Sequence, residues 1–330
     1  MADTSNRTNT LRLSVTDRCN LRCVYCMPTE GIPLIPPREI LEYEEIVRIV
    51  NLCVSLGIEK VRITGGEPLV RRKLAGLIER LAAIDAIRDL SLTTNGVLLS
   101  HQARELQHAG VHRVTVSMDS LRRDRYLRIT GSDLLGEVFK GIDALFTLGI
   151  EPVKVNTVIV RGINDDEIAE FAALTFSLPI EVRFIERMPL GEQRRRIQGC
   201  GLWEQEGVPS RVILGRLEQE FGKLETASPV VPIPGPAKLY RIPSAEGRIG
   251  IISPVTEPFC SQCSRIRLTP EGKLRNCLLR EDSLDLKQML RKGAPDITLQ
   301  KGISEMIQKK GRYTHPDFRL MEKAMVEIGG

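Results

Sequence analysis

The feature that most constrains the fold of this chain is an alternation of short β-rich runs with stretches of helical periodicity. Six runs rich in β-branched residues recur in the first 186 residues, with helical stretches between them. Alternation at this spacing builds right-handed βαβ units and a parallel sheet. The predicted strands are residues 11–17, 60–65, 90–95, 113–119, 152–158 and 181–186, and the predicted helices are residues 43–56, 73–83, 100–109, 136–148 and 165–177.

Six such units fit either an open doubly wound sheet or a barrel with fewer than eight strands. Polar residues end the predicted strands, among them Asp17, Glu67, Asn95, Ser117 and Glu186. A ring of polar groups at the carboxyl ends of successive strands is typical of a TIM-type active face, whereas an open sheet concentrates them at one switch point. We therefore predict an α/β fold, an incomplete (βα)6 TIM-type barrel.

The alternation fades after Pro189, and the rest of the chain has a different pattern. A helix is predicted near residues 211–221, and the proline-rich residues 228–236 fit neither a helix nor a central strand. Residues 238–242, 248–252 and 266–269 resemble a small antiparallel sheet. We predict two domains, the partial barrel over residues 1–210 and an α+β domain over residues 211–330 that contains this sheet.

Composition excludes several classes of protein. Hydrophobic residues make up 42% of the chain and charged residues 27%, which excludes a disordered or fibrous chain. No apolar run approaches the ~18 residues of a membrane-spanning helix, and the first ten residues are polar, so we expect a cytoplasmic protein with no membrane partner. The net charge of +5 and the 4% of aromatic residues do not indicate a nucleic-acid partner.

Six of the eight cysteines form two groups of three. In a chain without an export signal the thiols are expected to be reduced, which favours metal or redox chemistry. Cys19, Cys23 and Cys26 have C-x3-C-x2-C spacing in the loop after the first predicted strand. Three thiolates on one loop can ligate three irons of a [4Fe–4S] cluster and leave the fourth iron open. The alternatives are a zinc site completed by a remote ligand and three unrelated thiols.

The second group, Cys260, Cys263 and Cys277, has C-x2-C-x13-C spacing. Taken alone, this spacing fits a zinc knuckle as well as it fits a cluster with an open iron. Arg265 and Arg267 alternate on a predicted strand, so both project to one face beside the cysteines. Two guanidinium groups on one face suit a polyphosphate, although a solvated edge strand is the alternative.

Four motifs in chain order resemble the signature of radical S-adenosylmethionine (SAM) enzymes. They are the first cysteine group with Tyr25 before its last cysteine, GGEP at residues 65–68, TTNG at residues 93–96, and Ser117. The resemblance implies that the open iron binds SAM and that the reduced cluster cleaves it to a 5′-deoxyadenosyl radical, which removes a hydrogen atom from carbon. Together with the longer motifs described next, it implies SAM contacts at Tyr25, Gly66, Ser117 and Met188.

Longer motifs resemble the GTP 3′,8-cyclase family, which catalyses the first step of molybdenum cofactor biosynthesis. They are LRLSVTDRCNLRCVYCMP, RITGGEPL, LTTNG, KVNTVIVRGIND, RFIERMP, CSQCSRIRLTPEGKLRNCL and the terminal Gly329 and Gly330. The resemblance implies hydrogen abstraction from the 3′ carbon of the GTP ribose and attack of that carbon on C8 of guanine. It further implies two [4Fe–4S] clusters as well as SAM, with the second cluster holding the guanine.

The same resemblance assigns further residues and partners. GTP contacts are implied at Arg12, Arg62, Thr93, Lys154, Arg265, Ile266 and Arg267. The chain has no G-x4-GK[ST] loop, so triphosphate binding must depend on basic side chains. Gly329 and Gly330 are expected to enter the active site. The implied partners are a flavodoxin- or ferredoxin-type electron donor, a cyclic pyranopterin monophosphate synthase downstream, and a second copy in a homodimer.

Two alternative functions compete with this prediction. One is a different radical SAM enzyme with an auxiliary cluster, such as a peptide-modifying enzyme, although these usually carry more C-terminal cysteines. The other is a zinc-stabilised nucleic-acid-binding protein, which would be colourless and would lose affinity for nucleic acid steeply with salt. Cys53 falls in an apolar helical stretch and is predicted to be a core residue, and Cys200 is assigned no role.

Overall fold

The computed structural model describes residues 8–27, 31–188, 207–231, 233 and 235–310 of the chain. The predicted alternation of strands and helices is confirmed in the first half of the chain. The strands are β1 (Thr10–Ser14), β2 (Lys60–Thr64), β3 (Asp89–Thr94), β4 (Arg113–Ser117), β5 (Lys154–Ile159) and β6 (Glu181–Glu186). The helices are α1 (Tyr43–Ser55), α2 (Leu74–Ala82), α3 (Leu99–His108), α4 (Arg123–Thr130), α5 (Leu135–Thr147) and α6 (Ile168–Ser177).

Strands β1 to β6 lie side by side in chain order, and each pairs in parallel with the next. This order is the one that consecutive βα units produce when each helix crosses back over the sheet. The architecture is a partial TIM-type barrel followed by a C-terminal domain, as predicted. Helix α4 is an addition to the predicted elements.

The C-terminal half extends this sheet at both edges. Its elements are α7 (Ser210–Phe221), β7 (Glu225–Thr226), β8 (Lys238–Arg241), β9 (Arg248–Ile252), β10 (Arg265–Leu268), β11 (Lys273–Arg275), β12 (Leu284–Asp285), α8 (Leu286–Arg291) and α9 (Asp296–Lys310). Strand β9 pairs in parallel with β6, and β10 pairs in parallel with β1. Antiparallel pairing begins only outside these two strands.

The predicted small antiparallel sheet is therefore not a separate unit. Its second and third strands, β9 and β10, lie on opposite sides of the six parallel strands. The result is one twelve-stranded sheet in the order β12-β11-β10-β1-β2-β3-β4-β5-β6-β9-β8-β7. The physical reason is that β1 and β6 would otherwise be the edges of a six-stranded sheet with unpaired backbone groups. The later strands satisfy those groups.

The two faces of the parallel strands differ in chemistry. One face is aliphatic and packs beneath the helices in a single core, and its strand residues include Leu11, Leu13, Val61, Ile63, Leu90, Leu92, Val114, Val116, Val155, Val182 and Phe184, all fully buried. The alternate residues form the other face, called here the inner face. Parallel strands covered on both sides are usually apolar throughout, so a polar inner face indicates a place kept for a ligand.

The helices begin and end where the sequence provides capping groups. Helix α1 starts with a capping box in which the Glu42 amide donates to the Glu45 carboxylate at 2.8 Å. It is followed by Gly57, whose φ of +95° favours glycine. Cys53 on α1 is fully buried, which confirms its predicted place in the core. Within the described ranges, no helix combines the length and the apolar character that crossing a membrane requires.

Candidate active site

The two cysteine groups lie at opposite ends of the sheet. Cys19 follows the carboxyl end of β1, whereas Cys263 precedes β10, whose first residue pairs with the first residue of β1. Cys277 follows β11, which runs antiparallel to β10 and returns to the same end. A five-residue strand spans about 16 Å. The groups are therefore separated by the length of the inner face.

The first cysteine loop folds as a tight turn that gathers its three thiols. The Cys26 amide donates to the Cys23 carbonyl at 2.9 Å. The Cys19 sulfur accepts from the Leu21 amide at 3.4 Å and lies 3.9 Å from the Asn95 side-chain amide. Burial raises the pKa of Cys23, and nearby Asp119 and the other two thiols raise it further. The three thiols are thus close enough to affect each other's ionisation, and N–H groups donate to the Cys19 sulfur.

The three thiols and the N–H donors beside Cys19 fit an iron–sulfur cluster. The ligands of a cubane cluster are spread over the corners of a cube, and N–H groups commonly donate to its sulfurs. The residues present therefore fit a [4Fe–4S] cluster with three cysteine ligands.

Gly66 lies where β2 ends against the first cysteine loop. Its amide donates to the Thr16 carbonyl at 2.7 Å. A Cβ atom at residue 66 would lie 2.4 Å from the Arg18 carbonyl oxygen, closer than real Cβ contacts. Only glycine allows the backbone of this turn to approach the loop that carries the cysteines.

Glu67 joins the GGEP motif to the TTNG motif. Its carboxylate is 1% exposed and accepts from the Leu69 amide at 3.0 Å, the Thr94 hydroxyl at 2.7 Å and the Asn95 amide at 2.6 Å. Burial raises the pKa of Glu67 to about 7. The Asn95 side chain in turn donates to Asn20 at 2.8 Å. The GGEP motif, the TTNG motif and the first cysteine loop are separate in the sequence. In the structure, hydrogen bonds join them around Cys19.

The other residues assigned to SAM also lie at the carboxyl end of the strands. Ser117 ends β4, and half-buried Met188 lies two residues after β6. The Tyr25 hydroxyl donates to Asp119, whose other oxygen accepts from the Val158 amide at 2.7 Å. Burial raises the pKa of Asp119 to about 6. Asp119 is the last residue of the fourth predicted strand, and its contact with Tyr25 could not be predicted from the sequence.

Arginines cross the middle of the inner face in register. Arg12 pairs with Arg267 on one side and with Arg62 on the other. Burial holds the pKa of Arg12 well below its usual range, and Arg267, Arg62 and Arg265 lower it further. The Nε atoms of Arg12 and Arg62 are buried and hydrogen-bond no group in the described ranges. Buried cations surrounded by other cations are costly unless an anion offsets the charge.

The amino ends of the strands carry a second set of buried charges. Asp89 pairs with Lys60 at 3.0 Å and with Arg113. Glu181 pairs with Lys154 at 3.2 Å. All five residues follow one rule. The first residue of each strand from β2 to β6 is charged and at most 4% exposed, namely Lys60, Asp89, Arg113, Lys154 and Glu181.

Arg183, two residues into β6, also pairs with Glu181 at 2.5 Å. Four cations therefore share two carboxylates, and the amino end of the inner face carries an excess of positive charge. Sequence reasoning identified only Lys154 among these residues. The signal was present in the sequence as charged residues at alternate positions of the predicted strands.

The two remaining residues assigned to GTP, Thr93 and Ile266, lie on opposite faces of the sheet. Thr93 lies on the inner face with a buried hydroxyl that has no partner in the described residues. Ile266 is fully buried in the core on the opposite face from Arg265 and Arg267, so only its main chain can reach the inner face. Gly329 and Gly330 lie outside the described residues, as does Cys200.

The second cysteine group is surrounded by positive charge. The Cys263 amide donates to the Cys260 carbonyl at 3.2 Å, and the Cys277 sulfur accepts from the Leu279 amide at 3.4 Å. Burial opposes ionisation of Cys263, but Arg265 and Lys310 outweigh it and lower the pKa of this thiol to about 6. Three cysteine ligands with N–H donors at their sulfurs also fit a cluster.

Two family models match the chain. The model of the radical SAM superfamily matches residues 13–175, and the model named Molybdenum Cofactor Synthesis C matches residues 180–316. The GTP 3′,8-cyclase of Desulforamulus reducens is 46% identical over 333 residues, with 100% of both chains covered. The enzyme of the same name from Thermodesulfovibrio yellowstonii is 46% identical, with 94% of both chains covered.

Among solved structures, the fold is similar to that of SuiB from Streptococcus suis. The crystal structure of SuiB bound to S-adenosylmethionine superposes with a TM-score of 0.61 over 91% of this chain and 68% of that chain. The structure of SuiB bound to its precursor peptide SuiA gives a TM-score of 0.60. Both are 14% identical to this chain, so the likeness concerns the fold alone.

Proposed function

The chain belongs to the GTP 3′,8-cyclase family of the radical SAM superfamily, and from this premise we propose how its residues divide the reaction. Its activity is the conversion of GTP to (8S)-3′,8-cyclo-7,8-dihydroguanosine 5′-triphosphate, the first step of molybdenum cofactor biosynthesis. It is a lyase whose cofactors are SAM and two [4Fe–4S] clusters. The similarity to this family extends over the full length of the chain. It therefore argues against the two alternative functions, a peptide-modifying enzyme and a zinc-stabilised nucleic-acid-binding protein.

We propose that the carboxyl end of the barrel holds the first cluster and SAM. Together they supply, when bound, the 5′-deoxyadenosyl radical that takes the 3′ hydrogen of the ribose. The chain's own part is to hold the reacting groups and exclude water. In this proposal Cys19, Cys23 and Cys26 bind the cluster, and Tyr25, Gly66, Ser117 and Met188 bind SAM. Glu67, Asn95 and Asp119 support these residues through the hydrogen bonds described above.

The inner face is the proposed GTP site. The observation that carries this proposal is the row of arginines between the two cysteine groups, in which the charge on Arg12 is opposed by three other arginines. A triphosphate would offset this charge. The proposed contacts are Arg12, Arg62, Thr93, Lys154, Arg265, the main chain of Ile266, and Arg267. Cys260, Cys263 and Cys277 would hold the second cluster, which binds the guanine.

Anaerobic reconstitution tests this proposal directly. Two cubane clusters correspond to about eight iron atoms per chain, since each holds ~4. We expect a brown protein that bleaches with dithionite and converts GTP to the cyclised product in the presence of SAM. A pale protein that binds no more than one cluster would contradict the assignment of the second cysteine group.

The division of the chain and its tail also belong to this proposal. We place the boundary between the barrel and the C-terminal domain between residues 210 and 211, at the first residue of α7. Gly329 and Gly330 are proposed to reach the active site, because a small flexible backbone can approach arginines that a bulkier tail cannot. Deleting both glycines should then reduce product formation while SAM cleavage continues, and unchanged turnover would contradict this role.

The partners follow from the chemistry of the family. We propose a flavodoxin- or ferredoxin-type reductant, since each SAM cleavage consumes an electron. A cyclic pyranopterin monophosphate synthase would consume the product. We also propose that the protein forms a homodimer and is located in the cytoplasm. Light scattering of the reconstituted protein tests the homodimer, and reduction of the clusters by purified flavodoxin in place of dithionite tests the donor.

A further inference from the structure

The last turn of α9 is held against the second cysteine group. The helix buries Leu299 and Ile303 in the core. Its Met306 carbonyl accepts from the Asn276 side chain at 3.3 Å, and the Lys310 ammonium donates to the Asn276 carbonyl at 2.6 Å. Asn276 directly precedes a cysteine of the group. Two hydrogen bonds and a buried helix face thus hold the end of α9 in place.

The ammonium of Lys310 lies beside this group, because it donates to the main-chain carbonyl of the residue that precedes Cys277. Its charge acts on Cys263 and on Cys277. The same charge acts on Cys260. Lys310 is half-buried, whereas Lys309 beside it is exposed to solvent. Of the two lysines that end α9, only Lys310 therefore places its charge next to the cysteines.

We propose that Lys310 is a positioning residue of the second cluster, whose ammonium donates to the ligand sulfurs and raises the reduction potential of the cluster. This inference deepens the proposed function, since it depends on a cluster at the second cysteine group. The cluster gains one negative charge on reduction, and a nearby cation stabilises the reduced form. No bond forms or breaks, and an external reductant supplies the electron.

Arg265 is the other cation at these thiols, but its role differs. It starts β10 on the inner face, where it is proposed to contact GTP, so the phosphates would share its charge. Lys310 reaches the group from outside the sheet, on α9. Its charge is therefore directed to the cluster whether or not GTP is bound.

A redox titration of the second cluster tests this inference. The full chain with Cys19, Cys23 and Cys26 replaced by Ala leaves only the second cluster to titrate. Each variant in this background is reconstituted anaerobically and reduced stepwise with dithionite while the EPR signal is recorded. We expect Lys310→Met to shift the midpoint to more negative potential, and Lys310→Arg to stay near the parent. Lys309→Met removes the same charge one residue away and should change nothing.

The outcomes separate the two proposals. If the parent background binds no iron, the proposed second cluster fails, whatever Lys310 does. If Lys310→Met binds iron like the parent and has the same midpoint, the role of Lys310 is overturned. If Lys310→Met binds less iron than the parent, Lys310→Gln is titrated in its place, because glutamine keeps a hydrogen-bond donor but carries no charge. A more negative midpoint for that variant supports the inference, and an equal midpoint overturns it.

Discussion

At the scale of single residues, the site depends on charges that are buried near like charges. Lys154 is 2% exposed. Burial lowers its pKa, Arg183 and Arg113 lower it further, and Glu181 opposes them, so the pKa is about 7. A lysine that titrates near neutral pH is charged only part of the time in the free protein. Its charge is most stable when a polyanion is bound.

GTP affinity should therefore fall as the pH rises above about 7. The sign follows because only protonated Lys154 attracts the triphosphate and bound phosphate raises the pKa of the lysine, so binding takes up protons. Calorimetry between about pH 7 and pH 9, in buffers of different ionisation enthalpy, measures both effects. Lys154→Arg keeps the charge at every pH and should flatten the dependence. A dissociation constant independent of pH in the unsubstituted protein would contradict the argument.

Gly66 gives a second prediction at this scale. Gly66→Ala places a methyl group where the Arg18 carbonyl lies 2.4 Å away, so the cysteine loop must shift. We expect loss of SAM cleavage, measured as 5′-deoxyadenosine, together with reduced iron at the first cluster. Gly76→Ala on α2 is the matched control, because its methyl group meets nothing within 4 Å. It should retain activity and gain about 0.5–1 kcal/mol of stability.

At the scale of elements, Glu186 joins the barrel to the C-terminal half. It is 3% exposed at the end of β6. Its carboxylate accepts from the amides of Ser210 at 2.6 Å, Val255 at 3.0 Å and Thr256 at 2.9 Å. All these partners donate, so a carboxylate satisfies them and an amide cannot satisfy every one.

Glu186→Gln should therefore destabilise the fold by about 1–3 kcal/mol, the cost of a buried donor left without a partner. Anaerobic urea unfolding measures the change as a lower midpoint at constant slope. Glu218→Gln makes the same substitution on an exposed face of α7 and should leave the midpoint unchanged. Equal midpoints for both variants would show that Glu186 does not hold the two halves together.

At the scale of the whole molecule, the two cysteine groups act from opposite ends of one sheet. Cys26 lies in the loop after β1, and Cys263 precedes β10, which pairs with β1 from its amino end. If each group holds its own cluster, a substitution at one end should leave the chemistry of the other end intact.

We expect Cys26→Ala to abolish SAM cleavage, and Cys263→Ala to retain cleavage while product formation is lost. The reason is that, in the proposed function, the first group binds SAM and the second group holds the cluster that binds GTP. Quantifying 5′-deoxyadenosine and the cyclised product in the same reaction separates the two. Cys53→Ala, in the core of α1, should keep the full iron content. Equal loss of cleavage in Cys26→Ala and Cys263→Ala would contradict the division.

Much of the fold and part of the site could be predicted from the sequence alone. The predicted strand at residues 60–65 corresponds to β2, and the prediction at residues 181–186 coincides with β6. Gly57, with a φ of +95°, follows α1 in the way typical of glycines at helix ends. These features are local, since periodicity, caps and turn residues act within a few residues along the chain. The cysteine spacings and the strand-end motifs are readable for the same reason.

Contacts between distant segments were decided only by the tertiary structure. The sequence does not show that β9 and β10 join opposite edges of the sheet, because strand partners depend on which backbone edges remain unpaired. The ion pairs of Asp89 and Glu181 form only after the strands lie side by side. The hydrogen bond from Lys310 to the Asn276 carbonyl, beside the second cysteine group, needs α9 to pack on the sheet first. Local patterns determine the elements, and burial of their faces against each other determines which side chains meet.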